Sequence, residues 1–353
     1  MREAAKRSSA RRATKFVGRT LDSLLGAPLA WRRKLTAFRN EPELPIVVGP
    51  WIDEVGYELL YWIPFLRSCM RRAGIGPRRV VAVSRGGVAG WYADVAARYV
   101  DILDVWEPRD LVEALRERER RQDGGQRQES IGSEDERLIG AVAARLGLER
   151  FQLLHPAWMY RFLAGYLNGP RPASRVVDLG DHSPLSVSYP RPTWLPVADG
   201  PYLVAKFYAS RAFPRTPENQ AFVDRTLARL AERATVVVLH TGVELDEHLE
   251  FGVAPGDGVV EARELIAPPR ENLARQSAVV AHADGFVGTY GGFSYLPPRL
   301  GVRALGVYST TDFVPNHLGT ASIVLNRGDA GGFSAVHARM LELVMERTLE
   351  RRP

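Results

Sequence analysis

Residues 272–309 read NLARQSAVVAHADGFVGTYGGFSYLPPRLGVRALGVYS, and this stretch decides the fold class. Leu273, Ser277, Val280 and Ala283 recur at steps of three and four, which predicts one face of a helix over 272–283. Gly285-Phe286-Val287-Gly288 is short, apolar and bounded by glycines, as a buried strand of a parallel sheet is. From Thr289 to Ser294, two adjacent glycines stand between hydroxyl-bearing residues. Such a backbone turns sharply with its N–H groups outward and can receive a phosphate at a helix N-terminus. A short helix over Leu296–Leu300 and a strand over Ala304–Tyr308 complete the order helix, strand, glycine-rich turn, helix, strand. Any doubly wound α/β protein carries turns of this kind, so the turn by itself argues fold class rather than chemistry.

The rest of the chain extends the same rhythm. Ile46–Pro50 predicts a strand, followed by Trp51-Ile52-Asp53-Glu54-Val55-Gly56-Tyr57-Glu58 and an apolar helix to Met70. Arg79–Ser84 predicts a second strand ending in Arg85-Gly86-Gly87, Trp91–Tyr99 a helix and Asp101–Trp106 a third strand. Leu111–Glu129 is rich in Arg, Glu, Gln and Gly and reads as an exposed helix running into a loop, with no chemistry assigned. Glu134–Leu146 is an amphipathic helix, and Phe151–Leu167 is apolar and aromatic with His155-Pro156 at a turn, where a hydrogen-bonded structural histidine is the favoured reading. Seven prolines between Pro170 and Pro201 disfavour both helix and central strand, so 170–200 is expected to be an extended crossing between two domains, 41–169 and 201–353.

The second domain opens with a strand, Tyr202–Tyr208, then the basic loop Ala209–Thr216 and a helix with Pro217 at its first position. Strand, basic loop and helix make a second half of a diphosphate site, with Lys206, Arg211 and Arg215 as its cations. Further strands are expected over Thr235–His240, Val259–Ile266 and Ser322–Asn326, and a terminal helix over Ala335–Leu349. Asp246-Glu247-His248 lacks the helical His-x3-His spacing of a zinc site and reads as a solvated loop, so no metal site is expected.

Composition bounds the class. The 353 residues are 45% hydrophobic and 25% charged, those of a soluble globular protein long enough for two cores. The single cysteine, Cys69, excludes an internal disulfide and a cysteine zinc cluster and fits a reducing compartment, hence a cytoplasmic location. No apolar run reaches eighteen residues. Residues 1–40 hold eleven Lys or Arg against two Asp or Glu, which leaves 36 against 39 for the body; the pI of about 9.5 belongs to this extension. Its interleaved Leu, Trp and Phe, including Leu29, Trp31, Leu35 and Phe38, predict basic amphipathic segments lying on an anionic membrane, and a solvated basic tail is the equal alternative. The near-neutral body carries no nucleic-acid recognition motif, and no nucleic-acid partner is expected.

On Ala283-Asp284-Gly285-Phe286-Val287-Gly288, Gly291-Gly292, Tyr295-Leu296 and Leu300-Gly301-Val302, the chain resembles the nucleotide-sugar half of GT-B glycosyltransferases, bacterial heptosyltransferases in particular. The family's first strand leads into a loop and a helix with a proline six residues after an acid; Glu58 precedes Pro64 by six, and Pro64-Phe65-Leu66 is similar to its Pro-x-Leu. The resemblance implies two Rossmann-like domains facing a cleft, with acceptor on the first and nucleotide sugar on the second. It implies that Glu58 is the catalytic base, while Tyr57, foreign to the pattern, leaves Glu54 and Asp53 as substitutes. It places the donor on Gly288, Thr289, Tyr290, Gly291, Gly292, Phe293 and Ser294 together with Lys206, Arg211 and Arg215. The same acids also fit a plain helix N-terminus, where carboxylates offset the helix dipole.

The expected activity is transfer of a sugar from a nucleotide-sugar co-substrate, with no permanently bound cofactor, to a hydroxyl of a glycan or lipid-linked glycan. No Asp-x-Asp occurs, and Glu264 and Glu271 are seven apart rather than eight, which favours a metal-independent, inverting reaction. Pyruvyl transfer to a polysaccharide or nucleotide-sugar epimerisation on the same fold, and a non-catalytic glycan-binding scaffold, stay open at this stage.

Overall fold

A computed structural model describes residues 27–121, 128–167, 180–197, 200–240, 249–253, 256–263, 268–309 and 324–327. The expectations for residues 1–26, for the first part of the proline-rich crossing, for Asp246-Glu247-His248 and for a helix over Ala335–Leu349 lie outside these residues. The chain forms an α/β structure with two parallel sheets. In the first, β1 (Ile46–Val48), β2 (Val80–Ser84), β3 (Arg98–Asp101) and β4 (Gln152–Leu154) lie in the order β3-β2-β1-β4. In the second, β5 (Tyr202–Lys206), β6 (Thr235–Val238), β7 (Val259–Glu261), β8 (Gly285–Thr289), β9 (Ala304–Tyr308) and β10 (Val324–Arg327) lie in the order β10-β9-β8-β5-β6-β7. Each strand pairs in parallel with its neighbours, and in both sheets the order reverses beside the first strand, which places a crevice at the carboxyl ends there.

Alternation along β1 shows why the first sheet needs cover on both faces. Ile46 and Val48 point into a core shared with helix α1 (Ala27–Asn40), helix α2 (residues 55–73) and helix α5 (Pro156–Leu167), whereas Val47 points into a core with α3 (Pro108–Arg121) and α4 (Ser133–Leu146). In the second sheet Leu203 and Ala205 face α6 (Pro217–Ala231), and Tyr202 and Val204 face α7 (Asn272–Ala281). The larger apolar cluster continues from the α7 side of the second sheet into the first-sheet residues Val88, Trp91 and Tyr92, so the two sheets share a core where they meet.

Four expectations differ from the structure. The amphipathic stripe of α1 does not face outward for lipid: Trp31 and Phe38 are buried, the Trp31 ring lying 5.0 Å from Phe65 and 6.1 Å from Trp158. Trp31 and Phe38 are covered by the core shared with α2 and α5, while Arg32, Arg33 and Arg39 of α1 stay exposed. Between β2 and β3 there is a short 3-10 turn, Val88–Tyr92, in place of a helix over Trp91–Tyr99, and the strand is Arg98–Asp101 rather than Asp101–Trp106. The Asp101 side chain accepts from Leu103 N at 2.9 Å and so ends the strand in a cap. Likewise Leu111–Glu129 is not exposed throughout, since Arg118 and Gln128 are fully buried.

Arginines close the helix ends on the α1 side. Arg39 Nε donates to Ala73 O at 3.0 Å at the end of α2, and Arg79 donates to Phe38 O, Glu41 O and Leu44 O at the end of α1. Arg79→Met keeps the packing of the stem but orphans those carbonyls, and is expected to cost about 2 kcal/mol in denaturant unfolding.

Candidate active site

The helix α2 is built in three consecutive segments: α-helical Val55–Tyr57, π-helical Glu58–Trp62 and α-helical Ile63–Ala73. Pro64 sits in the first turn of the last segment, where its missing N–H is tolerated and where the ladder has already been loosened by the wider turn before it. Glu58 is the first residue of the π-helical turn and is fully buried. Ser84 Oγ, at the carboxyl end of β2, donates to Glu58 Oε1 at 2.6 Å, and the Tyr92 hydroxyl donates to the same oxygen. Glu58 Oε2 is buried and accepts no hydrogen bond among the described residues. Burial pushes the carboxyl up to about 7, against Arg85 and the Ser84 and Tyr92 hydrogen bonds, which pull it down. With Oε1 already accepting twice, Oε2 is the oxygen left to carry or release the proton.

The loop beneath Glu58 is held by Asp101. Its carboxylate accepts from Gly87 N at 2.7 Å and from the Tyr99 hydroxyl at 3.0 Å, tying Arg85-Gly86-Gly87 to the end of β3. None of Ser84, Tyr92 or Asp101 is apparent as a site residue in the sequence. The readable signal was Ser84-Arg85-Gly86-Gly87 directly after a run of valines, a polar and glycine-rich exit from a parallel strand.

The two neighbouring acids occupy different environments. Asp53 is buried and accepts from the Tyr160 hydroxyl, from Glu54 N at 2.7 Å and from Gln128 N at 3.3 Å. Gln128 in turn holds the same loop through Ile52 N at 3.0 Å and Pro50 O at 2.9 Å, and is backed by Asp135 and the buried Arg118. Asp53 thus anchors the loop that launches α2. Glu54 is exposed at the N-terminus of the helix. His155 is buried with Nε2 3.2 Å from Asp135, within this same supporting cluster. Asp181 pairs with Arg71 at 2.8 Å, and burial together with Arg299 holds His182 down to about 4.

On the second sheet, Gly288 lies where β8 passes β5 so closely that a Cβ would stand 2.2 Å from Lys206 O. The turn after it has Gly291 at φ 116 and Gly292 at φ 43, the left-handed region that glycine enters without a steric penalty. Three of its amides are engaged within the protein: Tyr290 N donates to Val307 O at 2.8 Å, Gly291 N to Ser294 Oγ at 3.1 Å and Ser294 N to Gly291 O at 2.9 Å. Thr289 Oγ1 is likewise engaged, donating to Tyr208 O at 2.8 Å. Lys206 is buried, with Nζ 2.9 Å from Gln276 Oε1 and 5.2 Å from the centre of the Phe293 ring. Arg211 and Arg215 are exposed on the loop after β5, so the three cations grouped by the sequence divide into one buried and two solvent-facing.

The first turn of α2 and the glycine-rich turn meet directly. A Cβ on Gly56 would lie 3.0 Å from Gly292 Cα and 3.1 Å from Gly292 N. Tyrosines line the junction from both sides, Tyr57 with Tyr61 at 5.3 Å and Tyr290 edge-on to Tyr295 at 5.8 Å. Farther along, Ala274 N donates to Gly86 O at 2.9 Å, Trp91 Nε1 to Ser277 Oγ at 3.1 Å, and Arg270 pairs with Asp104 at 3.2 Å. Among the described residues there is no group of three or more His, Cys, Asp or Glu side chains able to hold a metal ion, and no helix long and apolar enough to cross a membrane.

Two parallel α/β sheets meeting at their carboxyl edges define the GT-B class of fold. Among solved structures the chain resembles E. coli ADP-heptose LPS heptosyltransferase II at a TM-score of 0.50 and 13% identity, over 87% of this chain and 99% of that one. It also matches an E. coli heptosyltransferase, WaaC, with ADP (TM-score 0.40, 16% identity, 87% and 98% covered) and a family 9 glycosyl transferase from Veillonella parvula (0.47, 12%, 87% and 97%). At 13% identity the likeness to heptosyltransferase II speaks for the fold alone. No protein-family model matches the chain, and no curated protein matches it.

Proposed function

We propose that the protein is a glycosyltransferase of the heptosyltransferase type, moving a sugar from a nucleotide-sugar donor to a hydroxyl of a glycan or lipid-linked glycan by an inverting, metal-independent route. The observation that carries this reading is Glu58: a buried carboxyl at a strand-end crevice, with one oxygen doubly engaged, the other unengaged and its proton affinity raised to about 7. In the proposed reaction Oε2 takes the proton of the acceptor hydroxyl as that oxygen bonds to the anomeric carbon. The bond from that carbon to the diphosphate breaks, and the nucleoside diphosphate leaves with the electron pair. The remaining amides of the 288–294 turn, Lys206, Arg211 and Arg215 stabilise the departing charge. Admission of substrate requires the Gly56–Gly292 contact to part. Activity on a lipid-borne acceptor would place the protein in the cytoplasm, at the inner face of the plasma membrane.

The test is a panel of nucleotide sugars offered to the full-length protein, with melting temperature and nucleoside diphosphate release as readouts. Stabilisation by one nucleoside diphosphate, and slow hydrolysis of its sugar ester, is the expected result; no response to any donor overturns the reading. Once a donor is known, Arg215→Ala is expected to weaken its binding about tenfold without lowering the melting temperature, because the side chain is exposed and a charge-assisted phosphate contact accounts for roughly that factor.

A further inference from the structure

The correction at α1 leaves a surface whose charge is one-sided. The segments Ala27–Asn40, Ile63–Ala73 and Pro156–Leu167 pack together on one face of the first sheet and contain eight Lys or Arg and no Asp or Glu. On the opposite face, α3 and α4 carry seven acidic and seven basic residues, so the asymmetry belongs to one side and not to a generally basic domain. Arg32, Arg33, Arg72 and Arg161 of the one-sided face are exposed and enter no ion pair among the described residues. Three acids at its rim are already engaged, Asp94 with Arg67 at 2.8 Å, Asp181 with Arg71 at 2.8 Å and Glu41 with Arg150 at 3.0 Å, while Glu43, just past α1, is exposed.

The face is also aromatic at its centre. Trp158 and Phe162 are only partly covered, and Lys34 Nζ and the Arg161 guanidinium flank the Trp158 ring at 5.9 and 5.6 Å from its centre. A half-covered tryptophan ringed by cations suits the headgroup level of a bilayer, where the indole body is apolar and its surroundings are charged. Within about 10 Å of an anionic membrane, Lys and Arg side chains each gain from the surface potential, and unpaired ones gain most.

We propose that the α1–α2–α5 face of the first domain docks on an anionic lipid bilayer, with Arg32, Arg33, Arg72 and Arg161 contacting headgroup phosphates and Trp158 seated between them. The docking element is the folded domain rather than a free tail. It rests on the lipid-borne acceptor of the reading above, and the two fail separately: donor hydrolysis in solution reports on the chemistry, vesicle binding on this surface.

The experiment is co-sedimentation of the full-length protein with phosphatidylcholine vesicles, with and without phosphatidylglycerol, at about 0.1 M salt. The unaltered protein should sediment only with the anionic vesicles. Arg32→Gln, Arg33→Gln and Arg161→Gln combined should weaken that binding on the order of 100-fold. The same loss of charge on α3, Arg109→Gln, Arg116→Gln and Arg120→Gln, should leave it within about threefold. If the combined variant fails to fold, the single Arg33→Gln and Arg161→Gln variants should each lose about fivefold. No binding by the unaltered protein, full binding by the altered face, or an equal loss on altering α3 would overturn the proposal, the second outcome assigning membrane affinity to residues 1–26.

Discussion

Glu58→Gln is expected to lower turnover about 10²- to 10⁴-fold while donor affinity stays near that of the unaltered protein, since a general base acts on the acceptor proton and not on donor binding. Glutamine keeps the length and can still accept from Ser84 and Tyr92, so the packing around β2 should persist. The pH dependence separates proton transfer from packing. Turnover of the unaltered protein should rise as pH passes about 7, where the buried carboxyl loses its proton. Stability should move the opposite way: a folded-state value of about 7 lies above the ordinary 4.5, so the folded state holds the proton more tightly. The associated stability is present in full below about 4.5 and is lost as pH rises through 7, on the order of 3 kcal/mol by pH 8. Glu58→Gln should remove that slope, leaving a melting temperature above that of the unaltered protein at pH 8. Glu54→Gln and Asp53→Asn are the parallel arms. Retention of turnover in Glu58→Gln with loss in Glu54→Gln moves the base one helical turn; activity in all three places the base elsewhere, with the neighbouring acid and histidine Asp181-His182 the next pair to substitute.

Gly56→Val should separate the two sheets at their closest approach. The added side chain would meet the Gly292 backbone, at 3.0 Å from its Cα and 3.1 Å from its N, and backbone in a packed turn cannot swing away as a long side chain can. Relief must therefore come from movement of the 292–295 turn relative to α2. A shift near 1 Å between a base on one domain and a donor turn on the other is enough for a loss on the order of 100-fold in kcat/KM. Overpacking of about 1–3 kcal/mol should lower the melting temperature by several degrees. The distinguishing measurement is activity alongside circular dichroism: a loss of kcat/KM with secondary structure intact supports the Gly56–Gly292 contact as the element that sets the two sheets together, and normal activity refutes it. Gly292→Val is a poorer probe, because φ 43 and the Tyr208 hydroxyl, 2.7 Å from the added Cβ, burden folding as well.

Much of the fold was legible because buried parallel strands leave short β-branched runs bounded by glycine. Residues 285–308 show this, with β8, the glycine-rich turn and β9 where the spacing predicted them. The region from Trp91 to Trp106 was misread because the aromatic residues there are buried by tertiary packing at irregular intervals, and periodicity carries no information where the chain follows a neighbour's surface. In α1 the amphipathic pattern left lipid and solvent as equal alternatives, and Trp31 and Phe38 are instead buried against α2 and α5, since a hydrophobic stripe records that a face is covered and not by what. The surroundings of Glu58 depended on long-range contacts: Ser84 and Tyr92 lie 26 and 34 residues away, and nothing local to residue 58 points to them.

The π-helical turn over Glu58–Trp62 separates two obligations of one helix. Downstream, Leu66, Met70 and their neighbours are phased by the sheet they cover; upstream, Gly56 is phased by the opposite domain, while Glu58, at the turn itself, is held by Ser84 and Tyr92 of its own. A turn holding one extra residue resets the angle between the halves, much as a keyed coupling sets two shafts at a chosen offset. Core substitutions in the downstream half can therefore drift without rotating the carboxylate out of its crevice. Shortening the 58–62 turn by a single residue would swing every upstream side chain by about 100° and carry Gly56 away from the glycine-rich turn it meets.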